Sequence, residues 1–192
     1  MISKPQLATV RKEYSAYETA RRELIKASGD ALSLSKQAIF ALHRDDAAKA
    51  EKLLAEARAI QGSLAKKFAK IPGLVWEGSY RAMLEEFAEG SLYLDFVQGR
   101  AIGAIEAEGI DADANIGGLM DMTGELVRRA VTKATVGDYE EAERCHATVR
   151  EVVGELILMD IVGPLRPKFD QTKTNLRKLE EIMYDLSLRK RT

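Results

Sequence analysis

The sequence predicts an all-α fold, a single-domain bundle of about six or seven helices. Three observations carry that expectation. Apolar residues recur at alternating spacings of three and four along most of the chain, no stretch shows sustained alternation with β-branched enrichment, and Gly, Pro and Asp fall where helices of ordinary length would start and stop. Composition agrees: 46% of the 192 residues are hydrophobic and 31% charged, with abundant Ala, Leu, Glu, Lys and Arg, all strong helix formers. A chain of this length can bury most of the surface its unfolded form exposes, so residues 1–192 are expected to form one domain.

The first helix is expected from about Gln6 to His43. Leu24, Ala27, Ala31, Leu34, Ala38 and Ala41 form one stripe, widened by Leu32, Ile39 and Leu42. Gly29 near its middle costs about 1 kcal/mol relative to Ala without ending it. Asp45 and Asp46 supply an N-cap for a second helix carrying Ala50, Leu53, Leu54, Ala57, Ile60 and Leu64, which Pro72 and Gly73 end. A third helix starts near Trp76 and passes Val97; Gly99, Gly103 and Gly109 break up the segment after it. The fourth runs from about Ala112 to Thr135. Gly137 and Asp138 read as a stop and then a cap, opening a fifth helix that ends at Gly163 and Pro164, and the last begins after Pro167.

Several classes are excluded. The opening segment MISKPQLATVRKEY has no apolar core of signal-peptide length, and apolar runs such as Leu156 to Met159 are far too short to span a bilayer. Cys145 is the only cysteine, so no intrachain disulfide and no multi-cysteine metal site can form. A cytoplasmic protein without membrane contact is expected.

The net charge of -1 hides a division. Residues 1–44 carry eight Lys/Arg against four Asp/Glu, residues 166–192 carry the same numbers, and residues 45–165 hold 13 basic and 22 acidic residues. Either exposed helices simply vary in charge, or basic ends bind a polyanion while the acidic middle binds cations.

Two helices carry clustered carboxylates. In the third, Trp76, Tyr80, Met83, Leu84, Phe87 and Leu94 make the apolar stripe, and Glu86 and Glu89 sit on its flank at a spacing of three. In the fourth, Ile116, Leu119, Thr123, Leu126, Val127 and Ala130 make the stripe, while Asp121 and Glu125 share another side at a spacing of four. Gly117, Gly118 and Gly124 beside them permit close approach by a backbone or ligand. Such acids are often merely solvated, and Glu125 has Arg128 and Arg129 within reach. Two carboxylates about 6 Å apart repel by roughly 3 kcal/mol at an effective dielectric of about 20, so four brought together need protons or a cation. An oxygen-only set suits Mg²⁺ or Mn²⁺; the Glu-x-x-His of di-iron bundles is missing.

Three segments together resemble the translin family over nearly the whole chain. These are RRELIKASGDALSLSKQAIFALHR, DMTGELVRRAVTKATVGDYEEA and LRKLEEIMYDLSLRK, with the specific patterns SKxxIFxLHR, DxTGELxRxA and a terminal YxLxxR. Within the family, EEFAEG resembles the catalytic Glu-x-x-Glu segment of translin-associated factor X, and DMTGEL is similar to that subunit's DLTGEL. The resemblance implies a Mg²⁺- or Mn²⁺-dependent endoribonuclease acting on single-stranded RNA. Glu86, Glu89 and Asp121 would be metal ligands, and Glu125 a ligand or an outer base. It also implies a closed homo-oligomer, an octamer in the family, with active sites lining its interior. The chain departs from eukaryotic relatives in its compact link from Gly99 to Gly118, and it unites the basic helix with the carboxylates, which favours a self-sufficient homo-oligomer.

Arg21, Arg22, Lys36 and Arg44, with Arg81 nearer the acids, are candidate RNA-binding residues. His43 either contacts nucleic acid or packs. A metal-free cleavage would have only His43 and His146 as acid and base and is disfavoured. Tyr80, Phe87 and Tyr93 are candidate stacking platforms, although Tyr80 and Phe87 lie in the apolar stripe. The alternative reading is a non-catalytic translin-like shell binding single-stranded RNA or DNA; a plain helical scaffold that recruits another protein is the third.

Overall fold

The computed structural model describes residues 2–71 and 73–189. Pro72 as a helix stop, and the Lys190 to Thr192 end of the basic C-terminal segment, lie outside the described residues. Six α-helices succeed one another: α1 Lys4–His43, α2 Ala47–Phe68, α3 Gly78–Val97, α4 Ala112–Thr135, α5 Tyr139–Ile157 and α6 Arg166–Arg189. Short 3₁₀ turns at Leu74–Trp76 and Gly163–Leu165 precede α3 and α6. Among the described residues there is no strand, as the absence of alternation predicts.

The punctuation acts as expected at most joints. The Asp46 carboxylate accepts from Lys49 N at 3.1 Å, Asp111 from Ala114 N at 2.9 Å and Asp138 from Glu141 N at 3.2 Å, each satisfying a first-turn amide. Asp45 does not share in capping. It adopts φ 58° and turns its carboxylate to Lys133 and the buried Arg129, which also reaches Glu141. Arg129 thereby ties the end of α1 to α4 and α5, so it is not the partner of Glu125 that helical spacing offered. Two other expectations need correction. Residues 74–76 form a 3₁₀ turn one step ahead of α3, so Trp76 leaves the apolar stripe and is 69% exposed, with the Arg81 guanidinium 5.6 Å from its ring centre. Helix α5 stops at Ile157, short of Gly163, because residues 158–162 turn away to reach the second 3₁₀ segment.

Helix α1 packs against α2 and α3, α3 against α4, and α4 against α5 and α6. Leu24, Leu42, Leu84, Phe87, Leu126 and Leu156 are almost fully buried along these seams, each stabilising the fold by about 1.5–3 kcal/mol. The seam of α3 with α4 is the tightest where it concerns the site. A Cβ on Gly118 would lie 2.7 Å from Glu89 N and 2.9 Å from Glu85 O, so only glycine lets the two backbones meet there. The opening turns of α1, through Ala16, are exposed, and several of their residues share an open groove with the end of α2.

Candidate functional site

Close contact at Gly118 sets the carboxylate-bearing flanks of α3 and α4 side by side. Glu86 and Glu89 from α3, and Asp121 and Glu125 from α4, line one cleft of about 610 Å³. Lys36 of α1 and Lys168 of α6 enter it from either side, with Met120, Gly124 and Asn175 on its walls. Asn175 donates to the Thr123 hydroxyl at 2.9 Å, which fixes α6 against α4 beside the acids.

The electrostatics are those of acids deprived of water. Glu89, only 8% exposed, is pushed up to about 9, chiefly by burial and then by the charges of Glu86, Asp121 and Glu125. Burial also raises Glu86 above the usual carboxylate range, with Lys36, 4.0 Å away, pulling in the other direction. Asp121 is raised by burial too, although it accepts a hydrogen bond from Lys168. Lys168 also donates to Glu85 at 2.9 Å; burial depresses its affinity for a proton, but the bonds to Asp121 and Glu85 outweigh this and hold it raised.

Glu125 is held differently. His43 Nε2 bonds to its carboxylate, and the His43 Nδ1 lies 3.2 Å from the hydroxyl of the buried Tyr93. An Nε2–H donated to the carboxylate leaves Nδ1 to accept from Tyr93, whose hydroxyl burial keeps protonated. The His43 side chain is only 8% exposed, so it backs Glu125 from within the bundle and is not part of an exposed RNA-contacting surface.

The four acids thus share a cleft, but among the described residues no group of three or more His, Cys, Asp or Glu side chains is drawn close enough to hold a metal ion. Lys168 and His43 engage two of them instead. The chemistry of the four acids would suit a hard divalent cation: each offers carboxylate oxygens, and one of them is buried in a setting that disfavours its charge.

The basic candidates separate into two groups. Arg22, Lys36 and Arg44, joined by Lys26, fall on one exposed stripe of α1. Arg21 instead bonds to Glu77 at 2.7 Å, and Arg81 makes a two-pronged pair with Asp111, the cap of α4, at 2.7 and 3.0 Å. Both are committed within the chain. Tyr80, Phe87 and Tyr93 are all buried, which removes them as stacking platforms. His146 is partly buried on α5, away from the cleft residues. Sequence reasoning missed Lys168 and Glu85, whose only signal was membership of charged helices, and the Tyr93–His43–Glu125 chain, which joins positions far apart in sequence.

Fold and site together define a class: an all-helical bundle whose two central helices present an acidic cleft flanked by lysines from the first and last helices. A model of the translin family matches residues 19–190, and the chain belongs to that family. Chicken (Gallus gallus) translin is 32% identical over 81 residues, covering 42% of this chain and 35% of that protein. Human (Homo sapiens) translin is 30% identical over 81 residues, covering 42% and 36%. The matched segment thus spans about a third of the length of these relatives. Among solved structures, AfC3PO has a TM-score of 0.89 at 22% identity, covering 97% of this chain and 100% of that one. AfC3PO in complex with duplex RNA has 0.86 at 23%, covering 95% and 97%. The apo form of NeC3PO has 0.85 at 22%, covering 94% and 97%. At these identities the likeness shows a shared fold.

Proposed function

We propose that the chain is a Mg²⁺- or Mn²⁺-dependent endoribonuclease of the translin-associated factor X type, acting on single-stranded RNA in the cytoplasm within a homo-oligomeric shell, an octamer by resemblance. One observation carries the reading: four carboxylates from α3 and α4 line one cleft, three of them with proton affinities raised by burial, so the cleft favours an added cation. Glu86, Glu89 and Asp121 would hold the ion, which supplies Lewis acidity toward a phosphodiester oxygen. Glu125, steadied by His43 and Tyr93, accepts the proton of the water that displaces the leaving ribose oxygen. Lys36 and Arg44 hold neighbouring phosphates on the exposed side of α1, and Lys168 balances charge at Asp121. The bound duplex RNA of AfC3PO, a protein of the same fold, supports an RNA ligand. Exposed apolar side chains at Leu7, Val10 and Tyr14, and at Ile157, Leu158 and Val162, support assembly. Among the described residues no helix is long and apolar enough to cross a membrane.

The test is cleavage of a short single-stranded RNA by purified protein with Mg²⁺ or Mn²⁺. EDTA is expected to stop it, and Glu89→Ala or Asp121→Ala to reduce it at least about a hundredfold while assembly and RNA binding persist. Cleavage at the wild-type rate in either variant rejects the reading. A second reading is favoured by the bonds of Lys168 to Asp121 and Glu85 and of His43 to Glu125, which neutralise acids without any metal. It is a non-catalytic shell that binds single-stranded RNA or DNA, and it predicts salt-sensitive binding with no metal-dependent turnover.

A further inference from the structure

A groove of about 680 Å³ runs along the exposed face of α1 to the start of α2, separate from the carboxylate cleft except at Lys36, which lines both. Phe40 stands in it 55% exposed, an unusual position for a large aromatic ring on a helix whose other face is well buried. Lys36 and Arg44 lie four residues to either side of it, which on an α-helix puts a cation about 6 Å along the axis in each direction on the same face. Lys49, at the start of α2, adds a third cation. Among the described residues, Arg44 and Lys49 make no ion pair, and the one carboxylate in the groove, that of Asp46, accepts the Lys49 backbone N–H.

We infer that this groove is the path of single-stranded RNA into the cleft, with one base stacked on Phe40 between phosphates held by Lys36 and Arg44. The inference rests on the RNA-binding part of the proposed function and adds the residue that selects an unpaired strand. An exposed ring offers its π-face to any base, and the flanking cations set the phosphates on both sides of that base. An apolar protein surface fits poorly here, because covering Phe40 would desolvate Arg44 and Lys49, which have no ion-pair partner among the described residues. A polyanion supplies that pairing itself. Lys36 provides continuity: its Nζ is 4.0 Å from Glu86, so a strand held there already borders the acids. A duplex keeps its bases stacked on one another and gains only the phosphate contacts.

The experiment measures binding by fluorescence anisotropy, in EDTA so that no cleavage intrudes, for wild type, Phe40→Leu and Phe40→Trp. Three labelled ligands are compared: a short oligouridylate, an abasic strand of equal length, and a blunt RNA duplex. Phe40→Leu keeps an apolar side chain but has no ring, and is expected to weaken oligouridylate binding about tenfold while moving the other two less than about twofold. Phe40→Trp restores binding, and oligouridylate quenches its emission beyond any change from Trp76. Unaltered oligouridylate binding by Phe40→Leu, or an equal loss for the abasic strand, overturns the inference and leaves the RNA-binding reading intact. Dissociation of the Phe40→Leu assembly in analytical ultracentrifugation overturns it in favour of a subunit contact. Failure of wild type to bind any of the three ligands overturns both.

Discussion

Glu89 concentrates the cost of building the cleft. Its folded-state affinity for a proton, at about 9, lies far above the ordinary carboxylate value of 4.5, with burial the main cause. Between those limits the folded chain keeps a proton that the unfolded chain releases, so stability falls as pH rises from the lower value through the upper one. Glutamine carries the shape of the protonated acid and cannot ionise. In metal-free buffer, Glu89→Gln is therefore expected to melt above wild type, by a margin that grows from about pH 5 and reaches at least about 1 kcal/mol by about pH 8. Thermal melts across that range check it, and parallel curves for the two proteins would contradict the burial argument. His43 shows how one side chain can be misjudged from its neighbours in sequence: beside Arg44 it looks like part of a basic surface, yet helical rotation sends it inward to Glu125 and Tyr93.

The junction of α3 and α4 depends on Gly118. A methyl group there would meet the amide of Glu89 and the carbonyl of Glu85, neither of which can swing aside as a flexible side chain could. Gly118→Ala is expected to lose about 1–3 kcal/mol despite the better helix propensity of alanine, and to separate the two acidic pairs. Gly154→Ala, with nothing within 4 Å of the added carbon, is expected to gain about 0.5–1 kcal/mol. Denaturant unfolding of the two variants supplies the contrast, and equal shifts would refute the close-approach account. Much of this was legible in advance: the bounds of α4, Ala112–Thr135, with Gly137 as its stop, and the spacing that sets Glu86 with Glu89 and Asp121 with Glu125. The hidden part needed tertiary register. No local pattern shows that Lys168 of α6 reaches Asp121, or that Trp76 sits in a turn outside its helix, since an apolar residue one step before a helix reads the same as one inside it.

Across the molecule, the uneven charge of the chain has a spatial meaning. The basic first helix and the basic last helix lie on either side of the acidic central pair, and Lys36 and Lys168 are where they meet it. Counter-charge thus comes from sequence-distant ends, which lets a cleft rich in carboxylates fold with part of its repulsion already offset. The same arrangement leaves the opening turns of α1 exposed, from Lys4 to Ala16, showing Leu7, Val10 and Tyr14 to solvent, with only the end of α2 sharing a groove with them. That arm extends a helix already nucleated along the packed part of α1, so it rests on propagation alone, which is close to neutral in water and lets an unsupported end fray. In the proposed assembly, neighbouring copies that cover Leu7, Val10 and Tyr14 would suppress that fraying, which makes helix content a function of protein concentration. Serial dilution monitored by far-ultraviolet circular dichroism is expected to show per-residue ellipticity weakening as sedimentation reports smaller species. A signal that holds constant while the particles shrink would mean the exposed arm keeps its shape unaided.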